Sequence, residues 1–241
     1  MCFYNSMSAK AKKLAAKYGK LLSVIDMYKE VYGEKYHVSA FTNPVCPIIT
    51  DDQQVQMFHW GLIPSWVQSP SEAEEIRRKT YNAKSETVFE KPSFSHAITH
   101  GRCIIPSTGY FEWRHEEGRK IPYFIFVKDA EIFSMAGISE TWVNKETKEP
   151  VTTFSIITTP ANSLTEYIHN TKKRMPLIFN QEDEQKWITP NLQHDEIVNM
   201  MQPFDPAQMD AYTVNSNFLK LSPNDPNTIQ RVEQYRQGSL F

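Results

Sequence analysis

The chain has 241 residues, with 40% hydrophobic and 22% charged residues and a formal net charge of -2. This is an ordinary globular composition, long enough to bury a sizeable core. The slight acidic excess excludes a protein that coats duplex with a whole basic face, so any nucleic-acid contact must be a local groove.

The chain opens on Met1-Cys2. The small side chain of Cys2 favours removal of Met1, which places a free α-amine and a thiol on adjacent carbons. With a pKa near about 8, the amine is partly neutral at physiological pH. A 1,2-aminothiol condenses with an aldehyde: the amine forms an imine, then the thiol closes a five-membered thiazolidine. That second step is intramolecular, so much of its entropy cost is removed in advance. Read alone, Cys2 is also simply the residue after Met1, and its meaning depends on the rest of the chain. The three cysteines, Cys2, Cys46 and Cys103, form no CxxC pair and are odd in number. A disulfide framework and a structural zinc site are therefore not expected, and no metal or cofactor is called for. There is no apolar signal region and no run long enough to span a membrane, so a bacterial-type cytosol, associated with the nucleoid, is the expected location.

Ala/Lys/Leu composition predicts a first helix over Ser8–Tyr18, stopped by Gly19. Its lysines wrap most of the helix and read as a solvated face. A second helix is expected over Leu22–Tyr32, ending at Gly33, and a third over 69–80 with a serine cap and acidic first turn. Strands are predicted at Ile48–Thr50, Val55–Trp60, Arg102–Ile105, Tyr110–Arg114, Tyr123–Val127, Phe133–Ile138 and Thr152–Thr158. Helices return at Glu182–Ile188 and His194–Met201. Strands and helices do not alternate, and no GxGxxG or GKS/T element is present. The expectation is an α+β fold, one domain over 1–241, with a largely antiparallel, partly closed, barrel-like sheet and peripheral helices.

Three further segments carry chemistry. In YNAKSET (81–87), Ser85 reads as a helix start, leaving Asn82 and Lys84 in the loop before it. An amide there serves to hold a nucleophile, or belongs to an ordinary turn. In GRCIIPSTGYFEWR (101–114), period-2 alternation puts Glu112 on the face opposite Phe111 and Trp113. If that face lines a pocket, desolvation raises the Glu112 pKa and suits it to proton transfer; if it meets solvent, Glu112 is a surface charge. In YIHNTKKRMPLIF (167–179), His169 precedes the cations Lys172, Lys173 and Arg174. A histidine titrating near neutrality suits proton transfer, and the cations suit a phosphate; a lone histidine is also a common structural hydrogen-bonding residue.

Met1-Cys2, WGLIPSW (60–66), YNAKSET, RCIIPSTGYFEW and the His169-to-Arg174-Met-Pro segment, in this order over most of the chain, resemble the SOS-response-associated peptidase family of abasic-site processing proteins. The resemblance implies that Cys2 traps the ring-opened aldehyde of an abasic site in single-stranded DNA as a covalent thiazolidine. It also implies a positioning amide at Asn82, an acid/base carboxylate at Glu112 and a catalytic histidine at His169. Phosphate contacts would come from Lys84 and Arg174, and a base wedge from Trp113. The chemistry agrees: the closed sugar hides its aldehyde, so His169 is expected to help open the ring, and Glu112 to move protons during imine formation. Trp113 stacks on bases without reading sequence. The protein is expected to be a monomer in the DNA-damage response.

Three departures concern the DNA contacts. Phe3-Tyr4 stand where many relatives have Gly-Arg, four residues separate His169 from Arg174, and Lys84 replaces a common arginine, losing bidentate geometry. The alternative function is an N-terminal-cysteine peptidase or amidohydrolase working through a thioester. A third reading is a single-stranded DNA binding module in which Cys2 is incidental.

Overall fold

The computed structural model describes residues 2–21 and 33–232. The expected second helix at 22–32 lies outside them. Two β-sheets carry the fold, with six α-helices around them among the described residues. The strands are β1 (Tyr4–Met7), β2 (Lys35–Ser39), β3 (Val45–Ile48), β4 (Gln56–Trp60), β5 (Asn82–Lys84), β6 (Arg102–Ser107), β7 (Gly109–Glu116), β8 (Arg119–Val127), β9 (Phe133–Val143), β10 (Pro150–Pro160), β11 (Arg174–Pro176), β12 (Ile178–Phe179) and β13 (Met209–Thr213). The helices are α1 (Ala11–Tyr18), α2 (Pro70–Arg77), α3 (Ser95–His100), α4 (Ser163–Ile168), α5 (Gln181–Ile188) and α6 (His194–Met200).

The first sheet has the order β13-β8-β7-β1-β2. The N-terminal strand is thus an interior strand, held antiparallel on both edges, with Asn5 opposite Tyr110 on β7 and Val38 on β2. Asn5 is clamped further: Ser107 Oγ donates to its Oδ1 at 2.7 Å, and its Nδ2 donates to the Pro106 carbonyl at 3.4 Å. The second sheet has eight strands along β12-β9-β10-β4-β3, with β6 on β9 and both β5 and β11 on β10. All ladders are antiparallel except β10 with β4 and with β5. Both sheets are open, which corrects the expected barrel-like closure. Past the end of β3, one isolated bridge, Ile49 to Ile104, ties that edge to β6. The main apolar cluster draws on both sheets, from Met7 and Tyr110 to Ile138, Ile156 and Trp187.

Gly19 ends α1 in the left-handed region, φ 60°, its N–H donating to the carbonyls of Ala15 and Ala16. Ser69 caps α2, accepting from the Glu72 N–H at 3.2 Å. A second correction concerns YNAKSET: Asn82–Lys84 form a strand, not a loop, and Ser85–Thr87 make one 3-10 turn. Three residues show no measurable alternation, and β5 exists because Ile156–Thr158 of β10 offer it a parallel edge.

Candidate active site

Gly109 sets the start of β7. A Cβ there would lie 2.0 Å from Phe124 Cζ on the neighbouring strand, so any other residue would have to displace that buried ring. From it the side chains alternate as a pleated strand requires. Phe111 and Trp113 stack on Phe218, with ring centroids 4.4 and 5.9 Å apart. Tyr110 and Glu112 turn to the other face, where the Tyr110 hydroxyl lies 3.4 Å from Thr165 Oγ1 of α4. Glu112 Oε1 lies 3.6 Å from His169 Nδ1. The face bearing Glu112 is therefore interior, and the residue is 5% exposed.

His169 is delivered by the end of α4. Asn162 caps that helix, its Oδ1 accepting from the Thr165 N–H at 2.9 Å. After His169 the chain turns back through Lys173 at φ 50° into β11. Ala161 N–H donates to the Lys173 carbonyl and Leu177 N–H to that of Ile157, so bonded pairs flank the pair Pro160–Arg174. Bonded and non-bonded pairs alternate in an antiparallel ladder, so the Arg174 carbonyl points away from β10. It meets His169 Nδ1 at 2.9 Å. A carbonyl only accepts, so Nδ1 carries the hydrogen and Nε2 is the basic nitrogen.

Burial governs the titration of this pair. It pushes Glu112 up to about 7, against the opposing charge of the N-terminal amine. His169 is brought down to about 4, first by burial and then by the same amine. At neutral pH the imidazole is uncharged, so the close approach of the two side chains is not then an ion pair. The near-neutral titration expected of His169 belongs to Glu112. Cys2 is fully buried, and burial together with the Glu112 charge pushes its thiol well above the usual range. Its Sγ donates weakly to the Tyr4 carbonyl at 3.8 Å.

A groove of about 460 Å³ gives access to the pair. Glu112 and His169 lie in its lining with Trp113, Phe3, Tyr4 and Phe41. Tyr4 meets Trp113 edge-on at 5.1 Å, and Phe41, 55% exposed, stacks on Phe3 at 5.1 Å. Cys2 is not itself in the lining; its chain neighbours Phe3 and Tyr4 are. The Glu112 charge contributes to the raised pKa of its thiol.

Asn82, Lys84 and Arg174 gather at the C-terminal end of β10, not in that lining. Lys84 pairs with Thr158 on one edge of β10, and Arg174 with Pro160 on the other. Lys84 is exposed. Both amide atoms of Asn82 are buried with no hydrogen-bond partner among the described residues. Arg174 is buried, with Glu86 forked onto Nη1 and Nη2 and the Thr158 carbonyl accepting from Nη2 at 2.6 Å. One Nη1 hydrogen remains beyond those bonds. Sequence reading missed Tyr110, Thr165, Phe41 and Glu86. Glu86 lies inside YNAKSET and Tyr110 inside RCIIPSTGYFEW, so both carried a local signal; Thr165 and Phe41 carried none. Among the described residues no cluster of His, Cys, Asp or Glu is arranged to hold a metal ion, and no helix is long and apolar enough to cross a membrane.

The family model described as SOS response associated peptidase (SRAP) matches residues 1–220. The abasic site processing protein YoqW of Bacillus subtilis is 37% identical over 203 residues, covering 83% of this chain and 87% of that protein. The abasic site processing protein HMCES of Gallus gallus is 30% identical over 195 residues, covering 72% of this chain and 56% of that protein. An X-ray structure of a protein from Bacteroides thetaiotaomicron superposes with a TM-score of 0.95 at 57% identity, over 96% of this chain and all of that one.

Proposed function

The chain belongs to the SOS response associated peptidase family, and on that premise we propose that it processes abasic sites in single-stranded DNA by capturing them covalently on Cys2. The observation that carries this reading is the Glu112–His169 pair, buried within an aromatic-rimmed groove beside the strand that leads from Cys2. The relatives are named abasic site processing proteins, which fits a groove that holds proton-transfer groups beside an N-terminal aminothiol.

Met1 is removed, and the Cys2 α-amine becomes the first nucleophile. His169, neutral at rest, takes the proton of the C1′ hydroxyl at Nε2. The C1′–O4′ bond breaks, the aldehyde forms, and the imidazolium returns the proton to O4′. The amine adds to the aldehyde carbon, its proton passing to the new oxygen; the hydroxyl then leaves as water with a proton from Glu112, and the iminium returns its N–H proton to the Glu112 carboxylate, giving an imine. The thiol adds to the imine carbon as its proton passes to nitrogen, closing the thiazolidine; the net loss is one water. Asn82, with an unsatisfied buried amide, orients the terminus. Lys84 and the remaining Nη1 hydrogen of Arg174 meet phosphates, and Trp113 with its aromatic neighbours stacks on the flanking bases.

The test is incubation of the mature protein with an oligonucleotide bearing an abasic site, with the intact oligonucleotide, and with a peptide library. A denaturation-resistant adduct that requires the lesion is expected. Peptide cleavage without such an adduct would establish the peptidase alternative instead.

A further inference from the structure

Glu86 reaches the site from the far edge of β10. Its two carboxylate oxygens fork onto Nη1 and Nη2 of Arg174, the Oε2 contact at 2.8 Å. Arg174 is 9% exposed, and its guanidinium also donates to the Thr158 carbonyl and hydroxyl at 2.6 and 3.3 Å. The Glu86 side chain is 46% exposed and also accepts from Ser85 Oγ at 3.3 Å. The main-chain carbonyl of this same Arg174 accepts the His169 Nδ1 hydrogen at 2.9 Å. The β10–β11 ladder turns this carbonyl away from β10, and the strand that carries it is only three residues long and is entered through a left-handed Lys173, so the anchored guanidinium helps to hold the residue in that register.

We propose that Glu86 is a positioning residue for His169, acting through Arg174. The fork locks the guanidinium against β10, the locked residue aims its carbonyl, and the carbonyl selects the Nδ1–H tautomer that leaves Nε2 as the base. Without Glu86 the guanidinium is a buried cation short of its counter-charge. It then moves toward water and takes β11 with it. The kinetic consequence rests on the capture reaction proposed above; the tautomer itself does not.

The test uses Glu86→Gln, with Arg174→Lys as a second variant that keeps the charge and loses the fork. Histidine 15N NMR of the free, full-length protein reads the tautomer without any DNA. The wild type should show His169 as the Nδ1–H form, and both variants should shift it toward averaging with the Nε2–H form. With abasic oligonucleotide, Glu86→Gln should slow adduct formation about tenfold and leave a small open aldehyde unaffected. It should add nothing in a His169→Ala background. Glu86→Asp should restore part of the rate. An unchanged tautomer in both folded variants would overturn the proposal, as would equal slowing in the His169→Ala background. A wild type that forms no adduct would sink the capture reading while the NMR result still decided the role of Glu86.

Discussion

Glu112 Oε1 and His169 Nδ1 lie 3.6 Å apart, and their order of titration is the reverse of that in water. Burial raises the carboxylate to about 7 and lowers the imidazole to about 4, because an interior site disfavours the charged form of each. At neutral pH the site holds an uncharged base and a carboxyl group that is about half protonated. An acid and a base are thus available together, without a proton having crossed between them.

The rate of adduct formation on a natural abasic site should therefore bend near pH 7, and the bend should belong to Glu112. Glu112→Gln should remove it and slow the reaction by about two orders of magnitude or more. His169→Ala should slow the closed sugar but spare an open aldehyde, and should keep the bend. Quenched time courses from pH 5.5 to 9 decide the matter. Loss of the bend in His169→Ala would return the titration to the histidine.

Stability should carry the same signature. A carboxyl raised from 4.5 to about 7 in the folded state makes the protein lose stability as pH rises between those values. The full cost is present above pH 7. Glu112→Gln should thus stabilise the protein at pH 8 by about 1–3 kcal/mol and do little at pH 4.5. For His169 the sign is opposite: stability falls as pH drops from 6.5 towards 4, and His169→Ala should flatten that limb. Thermal unfolding across pH reads both, and a destabilised Glu112→Gln at pH 8 would show that burial of the charge is compensated.

The terminus supplies a separate prediction. Cys2→Ala and a retained N-terminal tag should each abolish the stable adduct. Cys2→Ser should leave an imine that borohydride traps, since the amine survives. A tagged protein that crosslinks at the normal rate would exclude the thiazolidine.

Phosphate contacts should separate by burial. Lys84 is exposed, so Lys84→Ala should lower the salt dependence of intact single-strand binding by about 0.7 log units per log salt without changing the melting temperature. Arg174→Ala should lower the slope similarly but also destabilise by about 1–2 kcal/mol, because it removes a buried guanidinium's bonds to the Thr158 carbonyl and to Glu86, while the half-exposed Glu86 left behind is solvated. An unchanged slope in both variants would place the DNA path elsewhere.

What the sequence determined by itself acts over a few residues. The stop of α1 at Gly19, the serine cap of α2 and the alternation that turns Glu112 away from Phe111 and Trp113 all follow from local backbone geometry, and each is present in the structure. Only the tertiary structure decided that Asn82–Lys84 is a strand, since its edge is supplied by β10. It also decided that the sheets stay open. It made Arg174 half of a fork with Glu86, 88 residues away. Above all it exchanged the titrations of Glu112 and His169, because a pKa answers to the solvent and charges around a group, and these are assembled from β7 and the end of α4 only when the chain folds.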